Sequence, residues 1–131
     1  MNAHDQLERR TILTSSPNPE RSLDYISVLS GQFSPGPDNV GHDVRLRYVP
    51  GSFILHPESW QQYLVSLATK SWGSMEILAV TMVADTNDHL VPRWIEISLN
   101  STRAGSDMQV IVDDREPGWN NENILARLDS F

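Results

Sequence analysis

The spacing of apolar residues changes twice along this chain, and that change constrains the fold more than any other feature. Residues 43 to 49 alternate between polar and apolar side chains, and residues 94 to 99 and 108 to 112 do the same. This alternation is typical of strands with one buried face. Between these stretches, residues 57 to 70 and 75 to 84 carry apolar side chains at helical spacing, so we predict two helices there.

A further strand is predicted at residues 23 to 29, which gives the order strand, strand, helix, helix, strand, strand. This segregation predicts an α+β domain with two helices on one face of a four-stranded antiparallel sheet. Such a sheet has two unpaired edges, and pairing between subunits is one common way to cover them. The second helix is apolar on nearly all sides, so we expect it to contact a neighbouring subunit as well.

The two ends of the chain are polar. Residues 1 to 22 predict an N-terminal arm that lies outside the core, and residues 114 to 131 predict a C-terminal tail with a short helix at 123 to 128. The domain itself is then expected to span residues 23 to 113. Within it, the glycines and prolines between Gly31 and Gly41 predict a loop.

The composition excludes several classes of function. The chain has 17 acidic and 10 basic residues, a net charge of -7, which disfavours binding to nucleic acids and anionic membranes. No apolar stretch approaches the ~20 residues of a membrane span, and the first ten residues lack the apolar segment of a secretory signal. We therefore expect a cytoplasmic protein. Cysteine is absent, which excludes disulfides, thiolate metal sites and cysteine nucleophiles.

Several short motifs carry a resemblance to a known family. They are PERSLDYI (19–26), LRYVP (46–50), Ser59 with Tyr63 and Leu64, PRW (92–94) and NSTRAG (100–105). In this order and spacing the set resembles the 7-cyano-7-deazaguanine (nitrile) reductases, the QueF family. The resemblance implies a T-fold (tunnelling fold), a ββααββ domain that assembles into ring-like homo-oligomers with ligand pockets between subunits.

The reductase chemistry of that family is not expected here. The family's loop FTSLCPxTGQPD corresponds to FSPGPD at residues 33 to 38, so the cysteine that attacks the nitrile is missing. Without a thiolate no thioimide intermediate can form. The nearby hydroxyls of Ser30 and Ser34 have no adjacent base in the sequence to activate them.

The cofactor-binding signature of the family, E-[SL]-K-S-x-K-x-Y-L, is also altered. His56 stands at its glutamate, and Glu58 and Gln61 stand at its two lysines. In the family these lysines are associated with the phosphates of NADPH. Glu58 inverts the charge at one of them, so NADPH binding is disfavoured and no cofactor is expected.

Some groups of the family's pocket remain. Asp38 matches its proton-donating aspartate, and Glu76 matches, with a one-residue slip, the glutamate that holds the pyrimidine edge of a deazaguanine. A carboxylate can accept two N–H donors from such an edge, and Trp72 is placed to stack on the ring or to cap the pocket. The candidate ligand-binding residues are therefore Trp72, Met75, Glu76, His56 and Glu58.

Simpler interpretations stand beside these. Glu76 near a helix N-terminus favours the helix dipole without any ligand, and Asp38 after a proline commonly bonds its own backbone in a turn. Arg103, in the turn predicted at residues 100 to 105, either binds an anion or is solvated. The four histidines show no metal-binding spacing, so no metal site is predicted.

Three functions stay open at this point. The first is binding of a planar purine-, deazapurine- or pterin-like ring, with acid/base chemistry such as hydrolysis or deamination by Asp38 if the protein is an enzyme. The second is a non-catalytic structural or regulatory paralogue. Active nitrile reduction ranks last, because the nucleophile is missing.

Overall fold

The structure is a computed structural model that describes residues 3–34, 41–103 and 106–128. Its four longest strands form one antiparallel sheet, and its two longest helices pack on one face of that sheet. In chain order the elements are α1 (Ala3–Ile12), β1 (Ser15–Pro17), β2 (Ser27–Phe33), β3 (His42–Val49), β4 (Phe53–Leu55), α2 (Pro57–Ala68), α3 (Met75–Leu90), β5 (Trp94–Arg103), β6 (Ser106–Arg115) and α4 (Glu122–Arg127). The sheet order is β2-β3-β5-β6, and β1 pairs separately with β4. The predicted α+β architecture is confirmed.

The alternation of side chains along the strands divides the sheet into two different faces. Leu46 lies opposite Leu29 on β2 and Ile97 on β5, and this row faces the helices. Arg45 and Arg47, its neighbours on β3, lie on the other face. One face therefore forms the core with α2 and α3, and the other carries polar groups.

The two central helices begin with recognisable signals. Pro57 is the first residue of α2, where its missing N–H costs no hydrogen bond. Ser74 caps α3 by accepting a hydrogen bond from the backbone N–H of Ile77 at 3.1 Å. Both helices lie where the sequence predicts them, but α3 continues to Leu90 instead of ending near residue 84.

The end of α3 requires a glycine elsewhere in the chain. Val91, which follows the helix, has a left-handed φ of 49°. Its carbonyl oxygen lies so close to Gly51 that a β-carbon at position 51 would overlap it. Glycine is therefore the only residue that fits at position 51 without a shift of the backbone.

The N-terminal segment is part of the core, which corrects the prediction of an arm outside it. Leu13 is 3% exposed and belongs to the main apolar cluster. Arg9 in α1 is 2% exposed, and its guanidinium pairs with Asp85 of α3 at 2.9 Å. Arg10 pairs with the same carboxylate at 2.9 Å, so two cations hold α1 against α3.

The C-terminal segment also packs on the domain. The short helix expected at residues 123 to 128 is present as α4, and Ile124 and Leu128 join a second apolar cluster with Val49 and Trp94. Before this helix, the carboxylate of Asp24 accepts hydrogen bonds from three groups: Arg93 Nη1 at 2.6 Å, Trp119 Nε1 at 3.0 Å and Asn121 Nδ2 at 2.9 Å. Asp24 thus joins the segment before β2 to the segment before α4.

Two strands also continue past their predicted ends. β2 starts at Ser27 and continues to Phe33, so the first residues of the predicted loop are strand. β5 likewise continues to Arg103, where a turn was predicted from Asn100 onwards. In both cases pairing with the neighbouring strand extends past the point where the local apolar alternation stops.

Candidate functional site

The ends of three strands enclose a polar depression on the sheet. The antiparallel register places Phe33 of β2 opposite His42 of β3, and His42 opposite Ser101 of β5. The depression has a volume of ≈490 Å³, within the usual range for small-molecule sites. We call it the strand-end depression; it is lined by Gln32, Phe33, Ser34, Gly41, His42, Asp43, Asn100 and Ser101.

Its lining combines hydrogen-bond donors and acceptors with one pair of aromatic rings. The carboxamides of Gln32 and Asn100 offer both donors and acceptors, and the exposed carboxylate of Asp43 accepts. On the helix-covered side of the same strand ends, the ring of Phe33 packs against the ring of His42, with centroids 5.8 Å apart. Such a lining suits a planar, polar molecule that is recognised along its edge.

Two of the predicted ligand-binding residues lie beside this depression. Ser101 Oγ donates a hydrogen bond to Met75 Sδ at 3.2 Å, so the first residue of α3 contacts the end of β5. Glu76 is the next residue; it is exposed and lies in the first turn of α3. The structure therefore brings Met75 and Glu76 to the same end of the sheet as the depression.

Asp38, the predicted acid, lies outside the described residues. It belongs to the segment that joins Ser34 to Gly41, and both of these flanking residues line the depression. The role of Asp38 stays a prediction.

Trp72 is placed differently from the expectation of a ring-stacking residue. Its indole N–H donates to the carbonyl oxygen of Leu67 at 2.8 Å. The guanidinium carbon of Arg9 lies 5.4 Å from the centre of its ring, which is a cation–π arrangement. The indole N–H and the part of the ring near Arg9 are thus in contact with other residues of the chain. The contribution of Trp72 to a ligand site stays a prediction.

His56 and Glu58 lie at the far end of α2 from this site. A twelve-residue helix is about 18 Å long, and Trp72, Met75 and Glu76 follow its other end. Both ring nitrogens of His56 are hydrogen-bonded, Nδ1 to Thr14 Oγ1 at 2.8 Å and Nε2 to Ser16 Oγ at 2.6 Å. The structure does not bring His56 and Glu58 of this chain together with its Glu76.

Arg103 is the last residue of β5, where its backbone pairs with Ser106 of β6. The predicted turn is therefore a strand at this position. Its side chain lies outside the described part of the structure, so anion binding by Arg103 stays a prediction.

None of the eight residues that line the depression was among the predicted site residues. The sequence held a signal for one of them, His42. If the alternation of β3 is continued to the residue before Asp43, it places His42 on the helix-covered face. Gln32 was assigned to a loop and Asn100 to a turn, so their membership of neighbouring strands was not visible.

Two further features are absent from the described ranges. No group of three or more histidine, aspartate or glutamate side chains converges there in a way that could hold a metal ion. In the same part of the chain, no helix is long and apolar enough to cross a membrane.

Neither a protein-family model nor a curated protein matches the sequence. Among solved structures, the fold is similar to the crystal structure of the archaeosine synthase QueF-Like in its apo form, with a TM-score of 0.57 and 15% sequence identity. The similarity covers 69% of this chain and 91% of that one. The chain therefore has the QueF-like T-fold that its motifs predict. This likeness establishes the fold alone.

Proposed function

We propose that this protein uses a QueF-like T-fold to bind a purine-, deazapurine- or pterin-like ring, and that it has lost nitrile reductase chemistry. The observation that carries the proposal is the strand-end depression, with Glu76 beside it on α3. In this proposal the protein is a homo-oligomer, and the pocket is completed by a second copy of the chain.

Recognition of the ring follows from the groups at the site. A guanine-like edge presents N–H donors next to a carbonyl acceptor. The carboxylates of Glu76 and Asp43 accept from N–H groups, and the carboxamide of Asn100 donates to a carbonyl. The ring N–H groups then bind to charged acceptors, which is the stronger class of hydrogen bond.

The sequence of the chain favours acid/base chemistry over reduction. The chain has no thiol to attack a nitrile, and Glu58 and Gln61 stand at the positions of the two lysines that are associated with NADPH in the family. If the protein is an enzyme, Asp38 is the proposed proton donor in a hydrolase- or deaminase-like reaction.

Isothermal titration of the full chain with guanine, 7-deazaguanine and pterin tests this proposal. We expect micromolar to millimolar binding of at least one ring, and at least tenfold weaker binding by Glu76→Gln and by Asn100→Ala. Glu122→Gln is the matched control, because this exposed residue of α4 is outside the site. Absence of heat with all three rings would contradict the proposal.

A second candidate is a non-catalytic paralogue that regulates or supports another protein. It is favoured by the shortening of the loop at residues 33 to 38, since this loop forms a pocket wall in the family. This reading predicts no ring binding and a stable complex with a partner protein. The non-catalytic candidate would be ruled out if affinity purification recovered only this chain and the purified chain bound a ring.

A further inference from the structure

The two arginines on the polar face of the sheet have different surroundings. Arg47 is buried; its Nε donates to Glu96 Oε1 at 2.8 Å and its Nη1 donates to the carbonyl oxygen of Leu128 at 2.7 Å. Arg45 lies two residues earlier on the same strand and is only half-buried. Within the described ranges, no hydrogen-bond acceptor or carboxylate is paired with Arg45. One cation is neutralised by its own chain and the other is not.

The surroundings of Arg45 leave room for a ligand. The residues directly opposite it are serines, Ser30 on β2 and Ser98 on β5. Opposite residues in neighbouring strands have β-carbons about 5 Å apart, so no large side chain covers the guanidinium from either strand. A groove of ≈520 Å³ follows this part of the sheet, and we call it the arginine groove. It is lined by Ser30, Gly31, Gln32, Asp43, Val44, Arg45 and Asn100.

The arginine groove and the strand-end depression form one continuous surface. They share Gln32, Asp43 and Asn100 as lining residues. Arg47, the next residue of β3 on this face, is occupied by Glu96 and by the carbonyl oxygen of Leu128. A molecule bound at the strand ends can therefore extend along β3 to Arg45, the cation that is left for a ligand.

We propose that Arg45, assisted by the hydroxyl of Ser30, binds the phosphate of a phosphorylated ligand whose ring occupies the strand-end depression. A guanidinium offers paired N–H donors that match two phosphate oxygens, and a serine hydroxyl supplies another donor. The inference rests on the proposed ring-binding function and narrows it to a ligand of the mononucleotide class.

The charges along β3 follow the order that such a ligand needs. Asp43, an acceptor for ring N–H groups, lies toward the strand end, and Arg45 lies about 7 Å further along the strand. In a nucleoside monophosphate, a sugar separates the ring from the phosphate by a similar span. The order along the strand thus separates the acceptor for the ring from the donor for the anion.

The test compares guanosine 5′-monophosphate, guanosine and inorganic phosphate as ligands of the isotope-labelled full chain at low salt. Affinity is measured by calorimetry, and the Arg45 Nε–H signal is followed by NMR. We expect the nucleotide to bind roughly ten times more tightly than the nucleoside, with a gain that falls as salt is added. Arg45→Gln should remove that gain, and Arg45→Lys should keep part of it. Arg127→Gln, an exposed charge on α4, is the matched control and should leave it unchanged.

The outcomes separate this inference from the proposed function. Guanosine binding with no gain from the phosphate, or a gain that persists in Arg45→Gln, would overturn the phosphate subsite and leave ring binding intact. Inorganic phosphate that shifts the Arg45 signal while no ring binds would support an anion site at Arg45, but it would overturn both the ring proposal and the assignment to a mononucleotide. No response to any of the three ligands would overturn both.

Discussion

A single buried carboxylate, Asp85, connects the N-terminal helix to the core. It is completely inaccessible to solvent, and it accepts hydrogen bonds from Arg9, Arg10 and Tyr63. The hydroxyl of Tyr63 donates at 2.7 Å, and burial together with this neighbouring carboxylate raises the pKa of Tyr63 well above its usual value. A buried charge is tolerated only with such partners, so the network fixes the position of α1.

Asp85→Ala is expected to destabilise the protein by about 3–5 kcal/mol, because the buried guanidinium of Arg9 loses the carboxylate with which it is paired. Urea unfolding followed by circular dichroism measures this change. Asp88→Ala is the matched control: Asp88 pairs with Arg10 but is exposed, and its loss should cost less than about 1 kcal/mol. Equal effects of the two substitutions would contradict the importance of the buried network.

Asp24 makes a pH-dependent contribution to the stability of the folded protein. Burial alone would raise the pKa of Asp24, but hydrogen bonds from Asn121, Arg93 and Trp119 outweigh this and lower it. Since the pKa is lower in the folded than in the unfolded state, the stabilisation is present above the unfolded value, near 3.8, and is lost as pH falls through the folded value.

We therefore expect Asp24→Asn to be less stable than the wild type at pH 7, by about 1 kcal/mol, and the difference to shrink below about pH 4. Thermal unfolding of both proteins between pH 7 and pH 3 measures it. A difference that stays constant over this range would show that ionisation of Asp24 does not contribute.

Sequence patterns could not reveal these residues. Asp85 lies in a polar stretch that interrupts the apolar periodicity, and its partners Arg9 and Arg10 are more than seventy residues away in the chain. Local spacing predicts which face of a helix is apolar, but it does not pair charges at that separation. For this reason, the prediction that residues 1 to 22 form an arm outside the core is wrong.

At the scale of elements, the central helices and strands were predictable because each carries a strong period. The ends were not, since β2, α3 and β5 all extend beyond their apolar patterns. The candidate site lies at those extended ends, on residues such as Gln32 and Asn100. Its position therefore depended on strand pairing that only the structure shows.

The short helix α4 depends on its contact with the sheet. A six-residue helix is not stable in isolation, and Ile124, which is 1% exposed, anchors it against Val49 and Trp94. Ile124→Ala is expected to cost about 2–4 kcal/mol.

The same substitution should release α4 and speed hydrogen exchange of its amides before the sheet unfolds. Hydrogen exchange with mass spectrometry on peptides that cover residues 119 to 128 measures this. Arg127→Gln, on the exposed side of the same helix, should behave like the wild type. Exchange in Ile124→Ala that rises only together with the whole sheet would contradict independent release of α4.

At the scale of the whole molecule, the sheet has two edges, β2 and β6, among the described strands. Unpaired edges are a common site of subunit association, and the side chains of Ile77 and Val80 on α3 are more than half exposed. These features support the proposed homo-oligomer. The motifs predicted the fold, although the chain is only 15% identical to the solved QueF-like structure. No pattern in a single chain specifies which surfaces meet in the assembly.

Native mass spectrometry of the full chain, incubated with guanine or pterin, tests the central proposal of a ring-binding oligomer most directly. We expect a closed oligomer that carries about one ring per subunit and releases it on denaturation, and we expect Glu76→Gln to form the same oligomer with the ring absent. A monomer that takes up no ring at any concentration tested would contradict both the assembly and the ring-binding site.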